Sequence, residues 1–142
     1  MEENLLPITP SFKLYKDRAI YIGTFIGGPL VAGYLAAENF KQLGQEEKAK
    51  ASWIIAILST IVIFGGIFLV SNIDKVPRYI IPLIYTLIAQ FLVKKYQGDA
   101  IETHIEKGGL LYSIWRAVLI GLIGLVILFI VIFIIIMLTT KE

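Results

Sequence analysis

Apolar residues gather in four long blocks joined by short polar connections: Ala19–Ala37, Ser52–Val70, Tyr79–Val93 and Ala117–Leu138. Within each block the apolar positions run on without the alternation of a half-buried strand. Lipid admits only helices or closed barrels, so this pattern predicts an all-α chain. A crossing helix needs about 20 apolar residues. The first, second and fourth blocks reach that length, and the shorter third block reaches it if Arg78 and Lys94 snorkel toward the headgroups. Trp53, Tyr79, Tyr96, Tyr112 and Trp115 stand at block ends, where an amphipathic ring suits the membrane interface. The expected architecture is an integral membrane four-helix bundle in one domain, 1–142. It has an N-terminal arm (1–16) and crossing segments at about 19–37, 52–70, 77–96 and 113–138.

The connections carry their own signals. "SNIDKVP" (71–77) makes the second and third blocks antiparallel neighbours, with Pro77 near the start of the third helix. Gly44 is placed to cap the first helical segment, and Glu46 and Glu47 suit the positive end of the next. In "QGDAIETHIEKGG", Asp99 and Glu102 have the spacing of a capping box and Gly108 stands where a helix stops. A separate short interfacial helix near 99–107 is therefore expected, with Ala100, Ile101, His104 and Ile105 on its inner face.

The first block contains "FIGGPLVAG". Pro29 removes one helical N–H and crowds the carbonyl of Phe25, so the helix is expected to kink there. Gly23 with Gly27, Gly28 with Ala32 and Ala36, and Gly33 with Ala37 form small-residue rows pointing in different directions, which places this block at the centre of the bundle. Gly121 and Gly124 give the fourth block one close-packing patch, while Leu125–Leu138 is bulky on every side, as a lipid-facing helix is. Gly65 and Gly66, near Ser59 and Thr60, are expected to pack the second block on the first.

Charge leaves the topology open. With four crossings, the Lys and Arg residues divide six against seven between the two sides, which sets no orientation. If the first block instead dips in and returns, with Gly27–Pro29 at its tip, the division becomes ten against three. Each limb then has re-entrant rather than crossing length. The four-crossing form is the favoured expectation because the small-residue rows continue across Pro29 at helical spacing.

Composition narrows the function. The chain is 57% hydrophobic and 17% charged, against about 45–50% and about 25% in soluble domains. A net charge of +2, with its basic residues at block edges, gives no nucleic-acid surface. There is no cysteine, so disulfides and thiol chemistry are excluded. The opening "MEENLLPITPSFKLYKDR" lacks the pattern of a secretory signal, so the first block is expected to stay in the mature chain.

No set of residues makes a nucleophile–base pair, a phosphate-cradling loop or a metal cluster, so neither an enzyme nor a cofactor is expected. Ser59, Thr60 and Gln90 are polar groups at depth and form a candidate path through the membrane, with interhelical hydrogen bonding as the plainer role. His104, the single histidine, is a candidate pH switch, with a packed interfacial ring as the plainer role.

Three stretches, "GGPLVAGYLAAENFKQLG", "IETHIEKGG" and "SIWRAVLIGLIGL", resemble a recurrent group of small bacterial membrane proteins of unknown function that carry a GGPL-x-x-GY segment. The resemblance implies a multi-pass location in the bacterial inner membrane and transfers no activity. The expected partners are the lipid bilayer and other membrane proteins or a second copy. The reading that results is a non-enzymatic accessory, scaffold or assembly subunit. The competing reading is a small oligomeric channel or transporter with its path near Gly27–Pro29.

Overall fold

The computed structural model describes residues 8–141; Met1–Pro7 of the expected arm and Glu142 lie outside the described residues. Five α-helices account for most of the described chain: α1 (Asp17–Gly27), α2 (Pro29–Gln42), α3 (Glu46–Leu69), α4 (Ile80–Glu106) and α5 (Ile114–Thr139). A single 3-10 turn, Ile73–Lys75, lies between α3 and α4. The all-α expectation holds apart from one short pairing: β1 (Lys13–Leu14) runs parallel to β2 (Leu110–Leu111), with Lys13 opposite Leu110 and Leu14 opposite Leu111.

The first block is two helices, which corrects the single kinked helix. Gly28 takes φ 86° and ψ −173°, a conformation that essentially only glycine adopts. Its N–H closes α1 on the Thr24 carbonyl at 2.7 Å, and Pro29 opens α2 at its first position. The chain then doubles back. Along a continuous helix Tyr15 and Asn39 would stand about 36 Å apart, yet the Tyr15 N–H donates to Asn39 Oδ1 at 2.7 Å. Leu35 packs on Gly23. The two limbs, of 11 and 14 residues, make an antiparallel hairpin with Gly28–Pro29 at its tip.

The expected row of Gly28, Ala32 and Ala36 is not a packing face, since Gly28 is the hairpin tip with open space around it and Ala32 and Ala36 line a cleft. The glycines of the other two rows do meet neighbouring helices. Gly23 and Gly27 lie against α5: an added Cβ would sit 3.1 Å from the Ala117 carbonyl oxygen at Gly23 and 2.6 Å from that of Gly121 at Gly27. From the other side, a Cβ on Gly121 would come within 2.9 Å of the Gly23 carbonyl oxygen. Gly33 faces α3, with the Ser52 carbonyl oxygen 2.9 Å from where its Cβ would be. Gly65 and Gly66 have open space around them, so α3 meets the hairpin through Ser52 and Ala56 rather than through those glycines. Each long helix packs on the hairpin, α5 and α4 on α1 and α3 on α2, while the three long helices scarcely touch one another.

Helix ends follow the sequence signals in two places. Gly44 and Gly108 both have φ 74°. In each case the glycine and the residue after it donate back to the last turn: Gly44 to Lys41 and Gln45 to Phe40, Gly108 to Ile105 and Gly109 to His104. This arrangement satisfies carbonyls the helix leaves orphaned. The separate interfacial helix is not formed. α4 runs unbroken through Gly98 and Asp99, because one glycine costs only about 1 kcal/mol in a helix. Val93, Gln97, Ile101 and His104 continue a single buried stripe across it.

Two helices, α3 and α5, are long and apolar enough to cross a membrane. Only 6% and 11% of their most apolar stretches are buried within the molecule, unlike the core helix of a soluble protein. From Leu125 to Leu138 nearly every α5 side chain is exposed, including Phe129, Phe133 and Ile134.

Candidate functional site

The buried polar groups concentrate at the open end of the hairpin, where five parts of the chain meet. Asn39, on the last turns of α2, is fully buried. It serves the Tyr15 backbone as a strand neighbour would: Oδ1 accepts the Tyr15 N–H, and Nδ2 donates to the Tyr15 carbonyl at 2.8 Å. Nδ2 also donates to Gln97 Oε1 at 3.1 Å, and Gln97 Nε2 donates to the Ala36 carbonyl at 2.8 Å. One asparagine and one glutamine thereby join the arm, α2 and α4, and a desolvated amide network of this kind is stable only when fully paired.

The second half of this latch is aromatic. The Tyr15 and Tyr112 rings lie 4.4 Å apart, the Arg116 guanidinium sits 4.5 Å over Tyr112, and Arg116 Nε donates to the Tyr15 hydroxyl at 2.8 Å. Burial pushes the Tyr15 phenol above its ordinary value, against the opposing pull of the Arg116 hydrogen bond and charge. The Tyr112 N–H donates to the Leu14 carbonyl at 2.9 Å, extending the β1–β2 pairing.

His104 belongs to the same end. It is buried, stacks on Phe12 at 4.9 Å, and has Nε2 2.8 Å from the Leu110 carbonyl oxygen. Nε2 must carry a proton to make that bond, and Nδ1 has no partner among the described residues. Gly109 lies flat against the imidazole, and any Cβ there would overlap the ring. The candidate pH-switch residue thus packs between Phe12, Leu110 and Gly109 at the latched end. Among the described residues, no three His, Asp or Glu side chains gather in metal-binding geometry.

The three polar residues read as a path are not brought together. Ser59 lines a cleft between α2, α3 and α4; Thr60 faces a second cavity beneath the hairpin tip and donates to the Ala56 carbonyl; Gln90 lines neither. Two other hydroxyls, Thr24 on α1 and Thr86 on α4, are fully buried without a hydrogen-bond partner among the described residues. Asn39, Gln97 and Tyr15 went unnoticed in the sequence. The first two sit among charged neighbours that read as solvated, and only the fold-back of α2 onto the arm gives them partners. No protein family, curated protein or solved structure matches the chain.

Proposed function

We propose that the chain is a multi-pass membrane protein in which α3, α4 and α5 cross the bilayer around a re-entrant α1–α2 hairpin, and that it serves as a non-catalytic scaffold or assembly subunit. Dimensions support the crossing pattern. The hairpin limbs rise about 16 and 21 Å, which reaches roughly the middle of a hydrocarbon layer about 30 Å thick. α3 and α5 continue past the tip at Thr60 and Gly124, where both flank the cavity under Pro29.

Charge supports an orientation. The arm, the 43–45 loop and the 107–113 segment share the latched end, so ten basic residues fall there, against Lys75, Arg78 and Lys141 at the other. By the positive-inside rule the latched end is cytoplasmic in a bacterial inner membrane. In this reading the GGPL-x-x-GY segment forms the hairpin tip.

The observation that carries the scaffold role is the splay of the long helices. Held through the hairpin and not through one another, they present apolar flanks beyond Pro29 to whatever shares the bilayer. A photo-crosslinking residue at Val62 or Ile130 is expected to give one discrete, stoichiometric adduct in native membranes, with a second copy or a partner helix. Lipid adducts alone at both positions would remove the scaffold role.

The transport reading keeps one specific support. The helix breaks at Gly28, four residues after Thr24, and the buried hydroxyls of Thr24 on α1 and Thr86 on α4 have no partner among the described residues; transporters built on broken helices place their sites at such breaks. Its test is solute or ion flux in reconstituted vesicles that is lost in Thr86→Val.

A further inference from the structure

Resting on the membrane reading, we infer that the cleft between α2, α3 and α4 is a site for one acyl chain of an anionic lipid from the leaflet at the latched end. The cleft has a volume of about 350 Å³ and runs along matched faces of the three helices. Its walls are apolar, with Ala32, Ala56, Ile88 and Leu92 among them. Among the described residues lining it there is one charge, Lys48, in the first turns of α3 with its ammonium 5.9 Å from the centre of the Phe40 ring.

The cleft is half-open and almost wholly apolar along its length, which suits a single flexible chain lying in it. Depth agrees: Lys48 and Ile63, at the two ends of the α3 wall, are separated by a rise of about 22 Å. That exceeds the roughly 15 Å of hydrocarbon in one leaflet. A lipid phosphate at Lys48 therefore puts its chain along Ala56 and Ile88 toward the hairpin tip. Because α3 and α4 scarcely touch, the chain reaches the cleft sideways from the bilayer without a portal having to open.

Charge complementarity at the mouth selects the headgroup. A basic residue near the surface favours an anionic lipid by about fivefold. The full-length protein, reconstituted with phosphatidylglycerol or phosphatidylcholine bearing a diazirine in the acyl chain, is irradiated and the labelled residues are mapped. Labelling of Ser59, Ile88 and Leu92 by the phosphatidylglycerol probe should exceed that by the phosphatidylcholine probe. It should drop about fivefold in Lys48→Ala, fall in the cleft-filling Ala89→Leu, and stay unchanged in Lys75→Ala. Equal labelling by both probes, or no change in Lys48→Ala, overturns the site. If Leu125–Leu138 of α5 takes no label from either probe, the membrane reading itself has failed, a result distinct from an α5 that labels while the cleft does not.

Discussion

Two glycines show how different the demands on this residue type are. Gly28 has open space where a Cβ would go, but its backbone lies where side chains are rarely tolerated. Gly28→Ala is therefore expected to cost about 1–3 kcal/mol through the backbone alone, visible as a lower midpoint of thermal unfolding in detergent. Gly65 is also unobstructed but helical, so Gly65→Ala should stabilise by up to about 1 kcal/mol. Tyr15 gives a pH dependence. Above its ordinary value, near pH 10, the unfolded phenol has lost its proton while the folded one keeps it. Stability should be flat below that pH and decline as pH rises through the raised folded value. Tyr15→Phe should flatten the decline, as read from unfolding midpoints between pH 8 and 11.

Among the elements, the latch and the hairpin depend on each other. Asn39→Leu leaves the Tyr15 N–H and carbonyl, and the Gln97 carbonyl, without their present partners. The expected loss is on the order of 3 kcal/mol, accompanied by faster proteolysis of the arm. Arg116→Gln should cost about 1.5–3 kcal/mol, since it removes the charged donor to the buried Tyr15 hydroxyl as well as the exposed cation–π contact. The helix terminators were legible in the sequence because a glycine followed by a polar turn acts locally, and Gly44 and Gly108 needed nothing from elsewhere. The small-residue faces were legible only in part, because a packing face needs a partner: Gly23, Gly27, Gly33 and Gly121 have one, and Gly65 and Gly66 have none within reach. The fold-back at Gly28 was legible only as an alternative that charge counting raised, because helical spacing across Pro29 looks the same whether the chain continues or reverses. The continuity of α4 was misread: a capping-box spacing at Asp99 and Glu102 competes with a buried stripe that only tertiary packing reveals.

Across the whole molecule, the hairpin makes a prediction about sidedness. The chain lacks cysteine, so single cysteines report cleanly. Those at Gln45 and Lys107 should react with an impermeant thiol reagent from one side of the membrane, and those at Asn72 and Thr140 from the other. Opposite labelling of Gln45 and Lys107 would rule out the crossing pattern proposed above. The parallel pairing of Lys13–Leu14 with Leu110–Leu111 also sets a schedule for biogenesis. The two partners are separated by about 97 positions in the chain, and ribosomes add about 5–20 residues per second. The first helices therefore wait some 5–20 s for the segment that fastens them, and for that interval the face of α1 that holds Gly23 and Gly27 has no α5 to cover it.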